Sequence, residues 1–339
     1  MVITENEIKK AGKVIPINAL VARQKMRKFL NTREPELVLF LQTLWKNQQK
    51  AITYKELREA ILAGVLSEKL MEEWYQDYSR FVIEKVAPMW ADAMKEANKA
   101  FQSALPKYVY NPMQQGVVNW TNERAAQFVT NVTQDQVSAM REVIKRASQL
   151  HDMNVDELSR AIRPMVGLDY RQAIANENYF ENMIKSGLKP EIAVDKSIKY
   201  SARQNRHRAY RIARTELSFS YNQGSYFGTK QAQEQGLLGE CVKVWCTADA
   251  YYSDGSHRTC DICRSLDGKE IAMDDDFYYE FKDKQGNVQM RRINPKLTGD
   301  TIARQPPAHP HCMCTVQYKE IAPPLQTVGN ETVIFNIDT

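Results

Sequence analysis

Apolar side chains recur at three- and four-residue spacing through the first half of this chain. Leu70, Met71, Trp74, Tyr78, Phe81, Val82, Val86, Met89 and Trp90 form one such stripe, which predicts a helix with a continuous buried face. Pro88 lies inside the stripe and lacks the N–H that a helix interior needs, so it predicts a kink or a division there. Two prolines in Leu105–Pro112 predict a loop. Beyond it, Thr133 with Gln136, Asn154 with Glu157 and Asp169 with Gln172 place a capping oxygen three residues before a carboxamide or carboxylate. With Gly167 and Gly187 at candidate left-handed helix ends, they predict short, separately capped helices over residues 121–187. A longer helix or helix pair is expected from Glu191 to Gln235.

After Gly236 the pattern changes. Val242 to Cys246 alternates as a strand does, with Trp245 as the expected central core residue, and Asp267-Gly268 reads as a hairpin turn. Phe277 to Phe281 and Thr315 to Tyr318 read as further strands, with Asp283 to Asn287 as a turn. A module this small buries little core and needs a staple. The expected class is therefore α+β: mainly helical over the N-terminal two-thirds, with a small strand-rich C-terminal module. The expected divisions are a helical extension over residues 1–120, a helical part over 121–236, the stapled module over 237–320 and a tail over 321–339. The tail carries Pro323-Pro324 and a strand-forming Thr332 to Asn336 that could pair with a partner's sheet edge.

Composition narrows the chemistry. A 43% hydrophobic content supports an ordinary core, and no apolar run is long enough for a membrane span. The first residues lack the basic start and apolar run of a secretory signal, so synthesis in the cytoplasm, where thiols stay reduced, is expected. All the cysteines lie between Cys241 and Cys314. Cys260 and Cys263 form a C-x-x-C pair, answered by His309, His311, Cys312 and Cys314. These are the soft ligands that a tetrahedral zinc prefers. His309 and Cys312 are the favoured partners of Cys260 and Cys263, with Cys314 as the substitute for Cys312. Four protein ligands would make the zinc structural. Cys241 and Cys246 read as buried strand residues, and His151, His207 and His257 as surface or helix positions.

An enzymatic reading uses the same cluster as a metal-dependent hydrolase, a nuclease or peptidase, with Asp249 or Asp267 as the nearby carboxylate. The signatures of zinc deaminases, H-E-x-x-H metalloproteases, P-loop proteins and serine hydrolases are all absent. No catalytic residue is assigned.

The net charge of +5 is mildly basic. Its densest part is the 190–217 segment, where Lys196, Lys199, Arg203 and Arg206 step by three and four onto one helix side. A solvated face, a phosphate-facing stripe and a surface for an acidic protein partner are all open readings.

One ordered set of residues resembles a known family. Arg211, Arg214-Thr215-Glu216, Asn222-Gln223-Gly224, Trp245 with Asp249, the Cys260/Cys263 pair, Leu266-Asp267-Gly268 and Pro306 to Cys314 stand in a sequence that resembles the phage head-morphogenesis or minor capsid proteins, the group of the phage Mu F protein. The resemblance covers about residues 150–318. It implies a non-enzymatic virion component made in the bacterial host cytoplasm, located at the portal vertex or the capsid interior. Its implied partners are the portal or major capsid protein and non-specific double-stranded DNA, with no membrane. Two features depart from the family: Met313 stands where its members usually carry arginine, and Phe277 to Arg292 reads as an added hairpin.

Overall fold

The computed structural model describes residues 19–150, 154–247, 259–293, 305–322, 327–328 and 331–332. Its contacts divide the chain into two compact units that alternate along the sequence. One comprises residues 33–88 and 121–213, the other 1–32, 89–120 and 214–339. The helices are α1 (Ala19–Ala51), α2 (Tyr54–Ala63), α3 (Glu68–Phe81), α4 (Ala87–Ala104), α5 (Gln115–Ala147), α6 (Val155–Ile162), α7 (Tyr170–Lys185) and α8 (Pro190–Glu234), with a short α9 (Asp261–Leu266). Strands β1 (Glu240–Cys246), β2 (Glu270–Ala272), β3 (Tyr278–Lys282), β4 (Val288–Arg292) and β5 (Thr315–Ala322) follow α8, with a minimal pair β6 (Thr327–Val328) and β7 (Glu331–Thr332). This is the α+β arrangement expected. Among the described residues no helix is long and apolar enough to cross a membrane.

Among its described residues, the unit of residues 33–88 and 121–213 is built of helices joined by turns and contains no strand. Its core joins Leu57, Ile61, Trp74, Val143, Ile144 and Ile162. Pro88 divides the apolar stripe as expected, and the manner is specific. A π-helical turn at Val82–Val86 joins α3 to α4, with the Ala87 N–H reaching back to the Val82 carbonyl. Widening the turn just before the proline makes room for its ring without ending the helix.

The Asp169 and Asn154 caps are present. Thr133 corrects the third expectation: it and Gln136 are buried inside the 33-residue α5, so 121–187 is not a run of short helices only. Gln136 is recruited by the core instead. The Trp45 indole N–H donates to the Tyr78 hydroxyl at 2.7 Å, which donates to Gln136 at 2.6 Å, which donates to Gln48 at 3.2 Å. A buried polar chain of this kind is stable because each donor meets an acceptor. Gly167, at φ 93, packs where a side chain would collide with Trp45, its Cβ falling 2.5 Å from the ring.

In the other unit α4 and α8 approach closely. A Cβ at Gly224 would lie 2.4 Å from the Met94 Cα, and one at Gly228 only 1.9 Å from the Asn98 Oδ1. Asn98 uses the space, donating to the Gly224 carbonyl at 2.9 Å while accepting from the Tyr108 hydroxyl at 2.7 Å. The loop expected at 105–112 is present. Its backbone is gripped by two glutamines four residues apart at the end of α8, the second just beyond it: Gln231 accepts from and donates to Asn111, and Gln235 does the same with Val109.

The sheet order is β2-β1-β5, antiparallel throughout, with Trp245 opposite Val316 and Lys243 opposite Tyr318. β1 buries Cys241, Lys243 and Trp245 on one face. Trp245 is fully buried, edge-on to Phe277 at 5.0 Å. Burial pushes Lys243 down to about 8, although the carboxylates of Asp276, Asp274 and Asp275 favour its charge. Asp267-Gly268 corrects another expectation. It turns from α9 into β2, not between two strands, with Gly268 at φ 74 and its N–H on the Trp245 carbonyl at 2.9 Å. β3 and β4 form the expected hairpin. Residues 333–339, with most of the predicted tail strand, lie outside the described residues, as do Asp249, His151 and His257.

Candidate metal centre

Two separated pieces of chain bring the donors together. Cys260 is the N-cap of α9, its sulfur accepting from the Cys263 N–H at 3.4 Å, so one helical turn presents both sulfurs to the same space. The second piece is the turn at His309–Cys312, closed by the Cys312 N–H on the His309 carbonyl at 3.1 Å, with His311 at φ 66. His309 Nε2 lies 3.0 Å from the Cys260 sulfur and 3.3 Å from that of Cys263. The Cys263 and Cys312 sulfurs are 3.7 Å apart. Zn–S bonds of about 2.3 Å and Zn–N bonds of about 2.0 Å in a tetrahedron separate sulfur from sulfur by about 3.8 Å and sulfur from nitrogen by about 3.5 Å. The donor set and its spacing therefore fit such an ion.

The residues that could hold a metal fall into two triads, Cys260 with Cys263 and His309, and Cys263 with Cys312 and Cys314. Cys260 is exposed, His309 half-buried, and the other three cysteines are buried. His311 belongs to neither triad. Hydrogen bonds to Cys312 and Cys314, reinforced by burial, push the Cys263 thiol far up. Burial also raises Cys312, but hydrogen bonds from Cys263 and Cys314 and the charge of His309 outweigh it and hold this thiol well below its ordinary value.

α8 positions the second piece, through residues that sequence reasoning either left without a role or missed. Thr215, Ser218 and Asn222 lie at i, i+3 and i+7 on one face of the helix, all buried. The Thr215 hydroxyl accepts from the His311 N–H at 3.3 Å, and Ser218 donates to the Cys312 carbonyl at 3.1 Å. Asn222 donates to the Cys314 carbonyl at 3.1 Å while accepting from the Thr315 hydroxyl at 2.8 Å. Small polar residues at helical spacing inside a buried segment were the available signal for Ser218. Glu216 is buried and Arg214 half-buried on the same helix. Asp267, a carboxylate of the hydrolase reading, accepts from the Thr247 N–H at 2.8 Å and so serves the turn.

Residues 153–317, which contain this helix, the sheet and both pieces of the cluster, match the family model described as Phage Mu protein F like protein. Over that segment, just under half of its length, the chain is similar to the Phage Mu protein F like family. Neither the curated proteins nor the solved structures give a match. The match supports reading the chain as a Mu F-like phage head-morphogenesis protein. The Mu F-like segment also includes the basic positions. Lys196, Lys199, Arg203 and Arg206 are all exposed. At 3.6 residues per turn they fall within about 80° of arc along about 15 Å of α8. Among the described residues none of the four meets a carboxylate. Arg203 and Arg206 sit beside the rings of Tyr200 and Tyr210, at 5.6 and 5.8 Å. The neighbouring cations do other work: Arg208 is buried, donating to the Gly167 carbonyl at 2.7 Å, and Arg211 pairs with Asp169.

Proposed function

We propose that this protein is a non-enzymatic minor head component whose C-terminal module is stapled by one structural zinc, held by Cys260, Cys263, His309 and Cys312. The observation that carries this reading is the convergence of thiol and imidazole donors, at near-tetrahedral separations, on the core that also contains Trp245 and Phe277. A zinc with four protein ligands has no vacant position for a hydrolytic water, so its contribution is to folding. No observation favours the hydrolase reading. Protein purified from reducing lysate without chelator should contain about one zinc per chain. A folded module free of metal would refute the staple.

The finer assignment is a place at the portal vertex or inner capsid, with the basic stripe on α8 facing the phosphates of packaged double-stranded DNA. Four exposed cations without carboxylate partners support a polyanionic partner, because such a surface keeps its full attraction for phosphate. Density for the chain in a reconstruction of the whole virion would test the location. A position on the outer capsid surface, away from DNA and portal, would refute it.

A further inference from the structure

Five donors fall into two overlapping triads, one more donor than a tetrahedral ion takes. Cys263 is the corner shared by the two triads, and within each triad the donor atoms lie within 4.8 Å of one another. The surplus is not symmetrical. Cys260 is exposed at the start of a six-residue helix, whereas Cys263, Cys312 and Cys314 are each only 2% exposed.

Cys312 and Cys314 are two residues apart just before β5, and their sulfurs lie within 4.8 Å of each other and of the Cys263 sulfur. Their carbonyls are both fastened to α8, by Ser218 and Asn222. Their backbone is therefore held in place, and bringing the Cys314 sulfur onto the ion beside that of Cys312 takes only rotation about side-chain bonds.

We propose that Cys314 is a built-in spare ligand. When Cys260 is absent or chemically blocked, the ion is held by Cys263, His309, Cys312 and Cys314. This inference rests on the zinc reading above and adds to it a second ligand set. Both sets offer three sulfurs and one imidazole, so neither the charge nor the softness of the site changes on exchange. Cys263 belongs to both sets and has no replacement. The sulfur most open to attack is thereby the one the site can lose.

The test compares zinc content and Co(II) spectra of the full-length chain as wild type, Cys260→Ser, Cys314→Ser, Cys260→Ser/Cys314→Ser and Cys263→Ser. The single Cys260 and Cys314 variants should each retain about one zinc, as a complete four-ligand site does. The double variant and Cys263→Ser should lose it. Co(II)-loaded Cys260→Ser should keep the thiolate charge-transfer intensity of wild type, because three sulfurs still bind. Loss of zinc from Cys260→Ser equal to that from Cys263→Ser, or intensity reduced to two sulfurs, overturns the spare ligand and leaves the staple standing. Wild-type protein without metal overturns both.

Should Cys260→Ser fail to fold, iodoacetamide on the native zinc-loaded wild type gives the same decision. Alkylation mapped to Cys260 with zinc retained supports the exchange. Alkylation there with stoichiometric zinc release overturns it.

Discussion

The helical unit of residues 33–88 and 121–213 closes over a broad apolar cluster, with Leu57, Trp74, Ile144 and Ile162 in a contact set drawn from α2, α3, α5 and α6. The module from β1 to β5 instead gathers a three-stranded sheet, one short helix and Trp245 around cysteines that count among its buried core residues. The first region needs nothing beyond side chains to exclude water. The second has too few residues to do so and places metal donors where more aliphatic groups would otherwise stand. Ordinary mutations should therefore lower the stability of the first by degrees. Loss of the proposed zinc should remove the second altogether.

The sharpest way to break that comparison is Cys263→Ser. It should unfold the region from 240 to 318, read as rapid proteolysis there, while far-UV circular dichroism keeps most of its helical signal. Uniform protection of both regions would mean that the module holds itself together without the ion.

Gly224→Ala is the next largest. Its methyl would fall 2.4 Å from the Met94 Cα, a backbone atom that cannot give way, so urea unfolding should show a loss of about 2–3 kcal/mol despite the gain in helix propensity. A neutral result would show that α4 and α8 can move apart freely.

Glu177 tests the helical unit. Both its oxygens are buried without a hydrogen bond, and burial pushes its pKa up to about 8, Arg146 opposing and Glu181 and Glu142 adding to the shift. A carboxyl whose folded value exceeds its unfolded one holds more protons when folded. Its contribution is complete below about pH 4.5 and is lost as pH rises towards 8. Glu177→Gln should therefore stabilise the protein by about 1–2 kcal/mol at pH 8.5, with the advantage shrinking towards pH 5. An effect independent of pH would show that Glu177 is solvated and charged throughout.

The smallest effect on stability belongs to the stripe. Replacing Lys196, Lys199, Arg203 and Arg206 with Gln should change unfolding by less than about 0.5 kcal/mol. Retention on duplex DNA should nevertheless fall, with its log–log salt slope flattening by about 0.9 for each phosphate lost. Unchanged DNA retention with weakened binding to portal subunits would assign the stripe to a protein partner.

The local rules were legible along the chain because they act over three or four residues. The Asp169 box, the Asn154 cap, the division at Pro88 and the β3–β4 turn each follow from neighbouring side chains and backbone. The cysteine and histidine spacing likewise indicated a donor set, since chemistry and short separation suffice to suggest one.

Burial in α8 was a different matter. Ser218, Ser220, Asn222, Gln223, Ser225 and Thr229 are all buried, although no apolar stripe announces it. Several of these hydroxyls return to carbonyls four residues earlier, as Ser220 does to Glu216 and Thr229 to Ser225. Such residues leave no hydrophobic period for a sequence pattern to reveal. The same limit hid Lys243, buried on an alternating strand, and mistook Thr133 for a cap when it sits inside a longer helix.

By itself, then, the sequence determined the helices with local signals, the change to strands after residue 236 and the identity of the donors. Tertiary structure alone decided that Thr215, Ser218 and Asn222 would hold the second half of the cluster, and that Cys263 would be common to two triads. Those pairings join residues more than 40 positions apart, whose meeting depends on how whole elements pack and not on any local preference.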